Sequence, residues 1–263
     1  MFPILSIGPL ALPVPALVLL AGFWIGLELT EKHASHFRAD PGQIYNMTLT
    51  AILAGIIGAR LAYAVLSPAG FLENPLTLLG LSPQMLNPAG GLVFALLAAL
   101  GTIWLKKMSL LPTLDSLVTL FAVMAAALGI AHFASGDAFG APSGLPWAIS
   151  LWGEQRHPSQ IYETLAAVLI TAVVWPGGKI ASKSEQAGSS GLRFWSFIAL
   201  SALARIVLES FRGDSILLLG SFRQAQVIAW AALALSLTQI GQRLEKMEIA
   251  AEKHGEAAHD TDR

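Results

Sequence analysis

Residues 112–132 read PTLDSLVTLFAVMAAALGIAH, an apolar run with one acid, Asp115, near its start and one imidazole, His132, at its end. It has the length a helix needs to cross a hydrocarbon layer about 30 Å thick. Six more stretches approach that length, at 14–30, 47–66, 90–105, 158–176, 194–211 and 223–241. Charged residues make up only 13% of the 263-residue chain, where a soluble domain carries about 25%, and mean hydropathy is +0.62. The expected fold is an all-α integral membrane protein, a bundle of about seven transmembrane helices.

The basic residues give that bundle an orientation. All seven lysines (Lys32, Lys106, Lys107, Lys179, Lys183, Lys246 and Lys253) fall in alternate gaps together with Arg38, Arg193, Arg243 and Arg263. The positive-inside rule then puts the N-terminus outside and the C-terminus in the cytoplasm. The expected division is a single transmembrane domain over 1–242 and a polar cytoplasmic tail over 243–263. The first apolar segment lacks a basic leader and runs on into helix, which argues against a cleaved signal peptide. The gap from Lys179 to Gly191 reads as a flexible inner loop. The outer gaps Ser67–Gly90 and Gly136–Pro158 are rich in proline and glycine, and the second carries Trp147 and Trp152, residues that anchor at headgroup depth. They suggest a site open to the outer leaflet. With no cysteine, the chain offers no disulfide, thiolate metal site or cysteine nucleophile. A net charge of −1 and the lack of a basic tail give no sign of nucleic acid.

Five arginines remain on the other side or within the spans: Arg60, Arg156, Arg205, Arg212 and Arg223. An arginine at the bilayer centre costs roughly 2.5–3.5 kcal/mol on insertion scales, so these need anionic partners or a wet cavity. Arg205, Glu209 and Arg212 are spaced to share one helix face and are followed by Gly213-Asp214, one carboxylate between two guanidiniums. That excess of positive charge suits an anion site, although an Arg-Glu pair can also simply join helices. Arg156-His157-Pro158-Ser159-Gln160-Ile161-Tyr162-Glu163 opens the fifth span, where Gln160 and Glu163 point toward the bundle and Glu163 must be paired or protonated. Gly58-Ala59-Arg60-Leu61-Ala62-Tyr63 sets an arginine on a small-residue helix face that allows close packing. Gly136-Asp137-Ala138-Phe139-Gly140, after His132, is a turn bearing an acid and an imidazole. Asp115 reads as an N-terminal charge of its own helix. No metal-ligand spacing or phosphate-binding glycine loop is present.

The order of these motifs resembles the prolipoprotein diacylglyceryl transferases of bacterial membranes. The resemblance spans Ser6-Ile7-Gly8-Pro9, the Gly58–Tyr63 and Gly90-Gly91-Leu92 motifs, Gly136–Trp147, Arg156–Glu163, Arg205–Asp214 and Gln226. It implies a seven-helix bundle in the plasma (inner) membrane with its active side toward the outer leaflet. The enzyme would move the diacylglyceryl group of phosphatidylglycerol to the lipobox cysteine in the signal peptide of a secreted prolipoprotein, releasing glycerol phosphate. No cofactor is implied. A chain without cysteine fits a reaction in which the substrate brings the sulfur nucleophile. The expected catalytic residues are His132, Asp137 and Arg205, with His132 or Asp137 helping to deprotonate the thiol. Arg60, Arg156, Gln160, Glu163, Glu209, Arg212 and Gln226 are expected to bind phospholipid.

Four positions depart from the family's usual residues: Pro15 replaces a tyrosine, Ala89 a histidine, Gly129 an arginine and Ala225 a glycine. Three readings follow. The first is the usual transfer with His132 or Asp137 as base. The second is a diverged relative that only binds phospholipid or uses another substrate. The third, an anion or lipid transporter, ranks last because the chain shows no convincing internal repeat.

Overall fold

The computed structural model describes residues 3–7, 10–68, 85–187, 191–218 and 220–261. A short hairpin of β1 (Ile4–Ile7) and β2 (Leu10–Pro13) leads into α1 (Val14–His33). Then come α2 (Pro41–Leu66), α3 (Pro88–Leu105) and α4 (Leu110–Ser135). A hairpin of β3 (Ile149–Leu151) and β4 (Glu154–Arg156) precedes α5 (Ser159–Val173). After α6 (Lys179–Gln186) and α7 (Leu192–Leu208), a hairpin of β5 (Leu217–Leu218) and β6 (Phe222–Arg223) enters α8 (Gln224–Thr261). Most of the proline-rich gap between α2 and α3, residues 69–84, lies outside the described residues.

Five described segments are long and apolar enough to cross a membrane: Val14–Phe37, Pro41–Leu66, Pro88–Leu105, Leu110–Ser135 and Leu192–Phe211. The fifth expected span falls on α5, an apolar helix of only 15 residues, and the seventh on the first part of α8, neither of which is among those five. That helix is continuous past position 243, so no break separates the expected tail from the bundle. Large apolar side chains such as Trp24, Leu53, Leu97 and Val168 stay exposed along the helices, as they would against lipid rather than water.

Local chemistry sets the helix boundaries. Pro41 and Pro88 occupy the first helical turn, where a missing N–H is harmless. The side chains of Asp40 and Asn87 cap those helices, accepting from Gln43 N at 2.9 Å and Gly90 N at 2.8 Å. Pro15 has the same role in the first turn of α1, where the family's tyrosine would stand. The helices pack as pairs, α2 along α3, α1 along α4 and α7 along α8, with α5 between α4 and α7. As the sequence suggested, Gly55, Gly58 and Ala59 form the α2 face that meets Gly90 and Gly91 of α3.

The basic end of the bundle holds a buried network that corrects three expectations. Arg193, grouped above with the solvated lysines, is fully buried. It donates from Nε to Val174 O at 2.7 Å, from Nη2 to Thr119 Oγ1 at 2.8 Å and from Nη1 to Asp115 O, with its guanidinium 4.6 Å from the Phe37 ring centre. Asp115 is not a charge for its own helix: its carboxylate accepts from Phe194 N at 2.8 Å and Gly191 N at 2.9 Å, capping α7, and from Ser184 Oγ. The expected flexible loop instead carries α6, held by that Ser184 contact and by buried Ala181. The short-range pattern gave no signal for these links because their partners lie some 70 residues away along the chain. Asp115→Asn would turn an amide donor toward groups that are themselves donors, and should lower stability by about 2 kcal/mol. The melting temperature of the detergent-solubilised protein checks this.

Candidate functional site

The polar site is built at the end of the bundle opposite the lysines, on a small irregular cap. Gly136, at φ 83°, ends α4, and the chain then folds back so that residues 139–142 run between 211–213 and 156–157. Ala141 N donates to Phe211 O at 2.8 Å, Gly213 N to Phe139 O at 2.9 Å and His157 N to Ala141 O at 3.0 Å. The fit at residue 140 excludes any side chain, since a Cβ there would lie 2.2 Å from His157 O. The rings of His157, Tyr162 and Phe211 meet edge to face with centroids 5.2–6.2 Å apart, and Trp147 Nε1 donates to Tyr162 Oη at 2.8 Å.

Beneath this cap, Glu163 is the hub. Its Oε1 accepts from Arg205 Nη1 at 3.0 Å and Arg212 Nη1 at 2.8 Å, and its Oε2 lies 3.8 Å from His132 Nδ1. Each arginine has a second carboxylate. Arg205 Nη2 is 2.8 Å from Glu209 Oε2, in ion-pair contact but without a well-aligned hydrogen bond. Arg212 donates from Nε and Nη2 to the two oxygens of Asp214 at 2.8 and 2.6 Å, the planar fork matching the carboxylate. Burial opposes the charge on Arg212, but its bonds to Asp214 and Glu163 outweigh that and hold the guanidinium above its ordinary range. The spacing of 205, 209 and 212 suggested excess positive charge. The fold adds Glu163 and Asp214, so three carboxylates face two arginines and that excess of positive charge is gone.

The other expected residues fall into distinct places. Gln160, fully buried, donates from Nε2 to Asp137 O at 2.9 Å, and Ser159 Oγ donates to Ala138 O at 2.6 Å, so the start of α5 is fastened to the glycine turn. The Asp137 carboxylate itself is exposed and makes no hydrogen bond or ion pair among the described residues. Arg156 donates to Gly140 O at 3.2 Å and pairs with Glu154 at 2.5 Å, stacked 5.0 Å from the Phe139 ring centre. Gln226 Nε2 donates to Ile206 O at 2.9 Å and Ser210 Oγ at 3.4 Å, tying α8 to α7. Arg60 belongs to the α2–α3 pair, buried and donating to Met85 O at 3.1 Å. Sequence reasoning did not assign a role to Asp214 as the second partner of Arg212, nor to Arg223. The first had a signal in an acid two residues beyond the helical Arg-Glu-Arg spacing.

Two features mark this end as more than a structural knot. Among the described residues, the buried side-chain atoms lacking a hydrogen-bond partner include His132 Nδ1, Arg156 Nε, His157 Nδ1, Gln160 Oε1 and Glu209 Oε2, all gathered here. Buried polar atoms are nearly always satisfied, and such a concentration of exceptions marks a site. The cluster also borders an apolar groove of about 180 Å³ between α4, α5 and α7, with Glu163 and Arg205 joining Leu128, Ala166, Ala204 and Leu208 in its wall. Charge at one end of an apolar groove is the arrangement an amphiphile requires. Where the family's arginine would stand, a Cβ on Gly129 would be 2.3 Å from Thr164 Oγ1, and α4 and α5 touch. No group of side chains among the described residues has the makings of a metal site.

Comparison with known proteins places nearly the whole chain. The family model described as prolipoprotein diacylglyceryl transferase matches residues 3–240. A phosphatidylglycerol–prolipoprotein diacylglyceryl transferase of Methylocella silvestris is 33% identical over 224 residues, covering 80% of each chain. Proteins of the same name from Clostridioides difficile and Nostoc sp. are 28% and 24% identical, covering 81% and 89% of this chain and 83% and 86% of their own. With the match running nearly end to end, the chain belongs to the prolipoprotein diacylglyceryl transferase family.

Proposed function

We propose that this protein transfers the diacylglyceryl group of phosphatidylglycerol to the lipobox cysteine of a secreted prolipoprotein, forming a thioether and releasing glycerol phosphate. The observation that carries the reading is the Glu163–Arg205–Arg212–His132 cluster at the end of an apolar groove. The cysteine sulfur attacks the glyceryl carbon that bears the phosphate ester. The C–S bond forms as the C–O bond breaks, and the electron pair leaves on the phosphate oxygen. Arg205 and Arg212 lie where N–H donors can stabilise that developing charge. His132 is the base: Nδ1 faces Glu163, leaving Nε2 to take the thiol proton. Asp137 then acts through its backbone, as the acceptor that sets Gln160. Arg156, Gln160 and Gln226 hold the cap and helix ends around the headgroup, while Glu209 and Glu163 set the two arginines. Arg60 binds phospholipid from the α2–α3 side.

We assign the chain to the bacterial plasma (inner) membrane, with seven spans, the site toward the outer leaflet, the N-terminus outside and the C-terminus in the cytoplasm. The alternation of lysine-bearing and site-bearing helix ends supports this. The residues through 242 form one membrane domain, with 243–263 as a polar cytoplasmic tail.

The test is transfer of labelled diacylglyceryl from phosphatidylglycerol to a lipobox peptide by the purified protein. Arg205→Ala and Arg212→Ala should each lower kcat by about 10²-fold, the usual cost of losing one donor to developing charge. A second reading, a relative that binds phospholipid without the usual transfer, is favoured by one observation, the absence of room for an arginine at 129. Folded protein that binds phosphatidylglycerol but moves no diacylglyceryl would establish it.

A further inference from the structure

Three carboxylates share the Arg205–Arg212 pair, so a phosphate approaching it gains from a further cation. Arg223 supplies one. Of the arginines at this end with described partners, Arg205, Arg212 and Arg156 each face a carboxylate, whereas no carboxylate lies within ion-pair distance of Arg223 among the described residues. Its Nη1 is anchored by neutral oxygens only, Glu209 O, Arg212 O at 3.1 Å and Ser215 Oγ at 2.9 Å. Those contacts fix the guanidinium against the chain segment that carries Glu209 and Arg212. Its Nε and Nη2 have no partner among the described residues, and neither is among the buried orphan atoms, so both are accessible. Around it the β5–β6 hairpin exposes Ile216, Leu217, Leu218 and Phe222. An apolar lip next to an uncompensated cation suits the boundary between acyl chains and headgroups, where arginine recognises phosphate with a planar pair of donors.

We infer that Arg223 binds the phosphate group of the site's substrate or product through Nε and Nη2, a binding residue for phosphate diester or monoester. This rests on the transfer reading for its ligand but not for its test. A helix-capping strut alone needs only Nη1 and leaves the charge without use.

The experiment uses the full chain in detergent, titrated with phosphatidylglycerol, with glycerol 1-phosphate and with diacylglycerol, which lacks the phosphate; bound ligand is read by native mass spectrometry. Arg223→Gln should weaken binding of the phosphate ligands about tenfold, the size of one charge-assisted contact, and leave diacylglycerol binding unchanged. Arg223→Lys, which keeps the charge, should recover part of the loss. An effect confined to phosphatidylglycerol assigns the lipid headgroup, and one confined to glycerol 1-phosphate assigns the released product. Unchanged phosphate binding in Arg223→Gln overturns the assignment, as does an equal loss of diacylglycerol binding or a loss that Arg223→Lys does not relieve. Wild-type protein that binds neither phosphate ligand overturns it as well. Wild-type protein that binds phosphatidylglycerol without transferring its lipid removes the reaction and leaves Arg223 in place. Transfer with normal binding in Arg223→Gln does the reverse.

Discussion

Replacing Glu163 with alanine is expected to lower diacylglyceryl transfer by about 10³-fold, a barrier increase of roughly 4 kcal/mol. Among the described residues, no other side chain at this end of the bundle is within ion-pair distance of two arginines and an imidazole, here Arg205, Arg212 and His132. Without it the two guanidiniums lose the anion that holds their Nη1 atoms side by side, and repel each other at short range. Removing one partner of a buried ion pair costs roughly 3–5 kcal/mol because the remaining charge is left uncompensated. His132 loses the carboxylate that orients Nδ1 and stabilises the imidazolium formed when Nε2 takes a proton. Glu163→Gln separates the two effects. It keeps the volume and one acceptor for an arginine while removing the charge, so it should fold near the wild-type melting temperature and still lose roughly 10²-fold in kcat. Transfer at the wild-type rate in Glu163→Ala would rule out the hub and the reaction scheme built on it.

How far such a site is legible from sequence depends on the range of the interactions that build it. The spans, the helix starts at Pro41 and Pro88 and the small-residue face of α2 follow from local composition and periodicity, which act over a few residues. The grouping of Arg205, Glu209 and Arg212 on one face is equally local. The sign of the site's charge is not. It depends on Glu163, 42 and 49 residues away from the two arginines, and on Asp214, which belongs to a different backbone geometry beyond the helix. Spacing therefore predicts an excess of positive charge that the fold removes. Asp115 and Arg193 fail for the same reason, one reading locally as a charge of its own helix and the other as a solvated charge beside the lysines, while their partners arrive from other elements.

Gly129→Arg, which would restore the residue the family usually has, is expected to abolish transfer rather than improve it. Even the first carbon of the new side chain would stand 2.3 Å from Thr164 Oγ1 and 3.0 Å from Thr164 N. The hydroxyl is already committed to Gln160 O at 2.7 Å, and the amide is helix backbone, so neither can simply move aside. The helices α4 and α5 would have to separate. That displacement falls on the pair that matters, since Glu163 adjoins Thr164 and His132 lies one turn beyond Gly129; their 3.8 Å contact would be lost. Overpacking of this kind costs roughly 1–3 kcal/mol, and an arginine placed within a span roughly 2.5–3.5 kcal/mol more, so the protein should melt well below the wild type. Gly129→Ala isolates the steric part and should lose about tenfold in kcat, on the basis of 1–2 kcal/mol of strain. Adding Thr164→Ala removes the closest atom and should return part of that loss. If instead Gly129→Arg folds normally and transfers faster than the wild type, then α4 and α5 are not locked together at this point. The missing arginine would then be a catalytic group this chain can still accommodate, and the steric argument at position 129, with the second reading it favours, would fall.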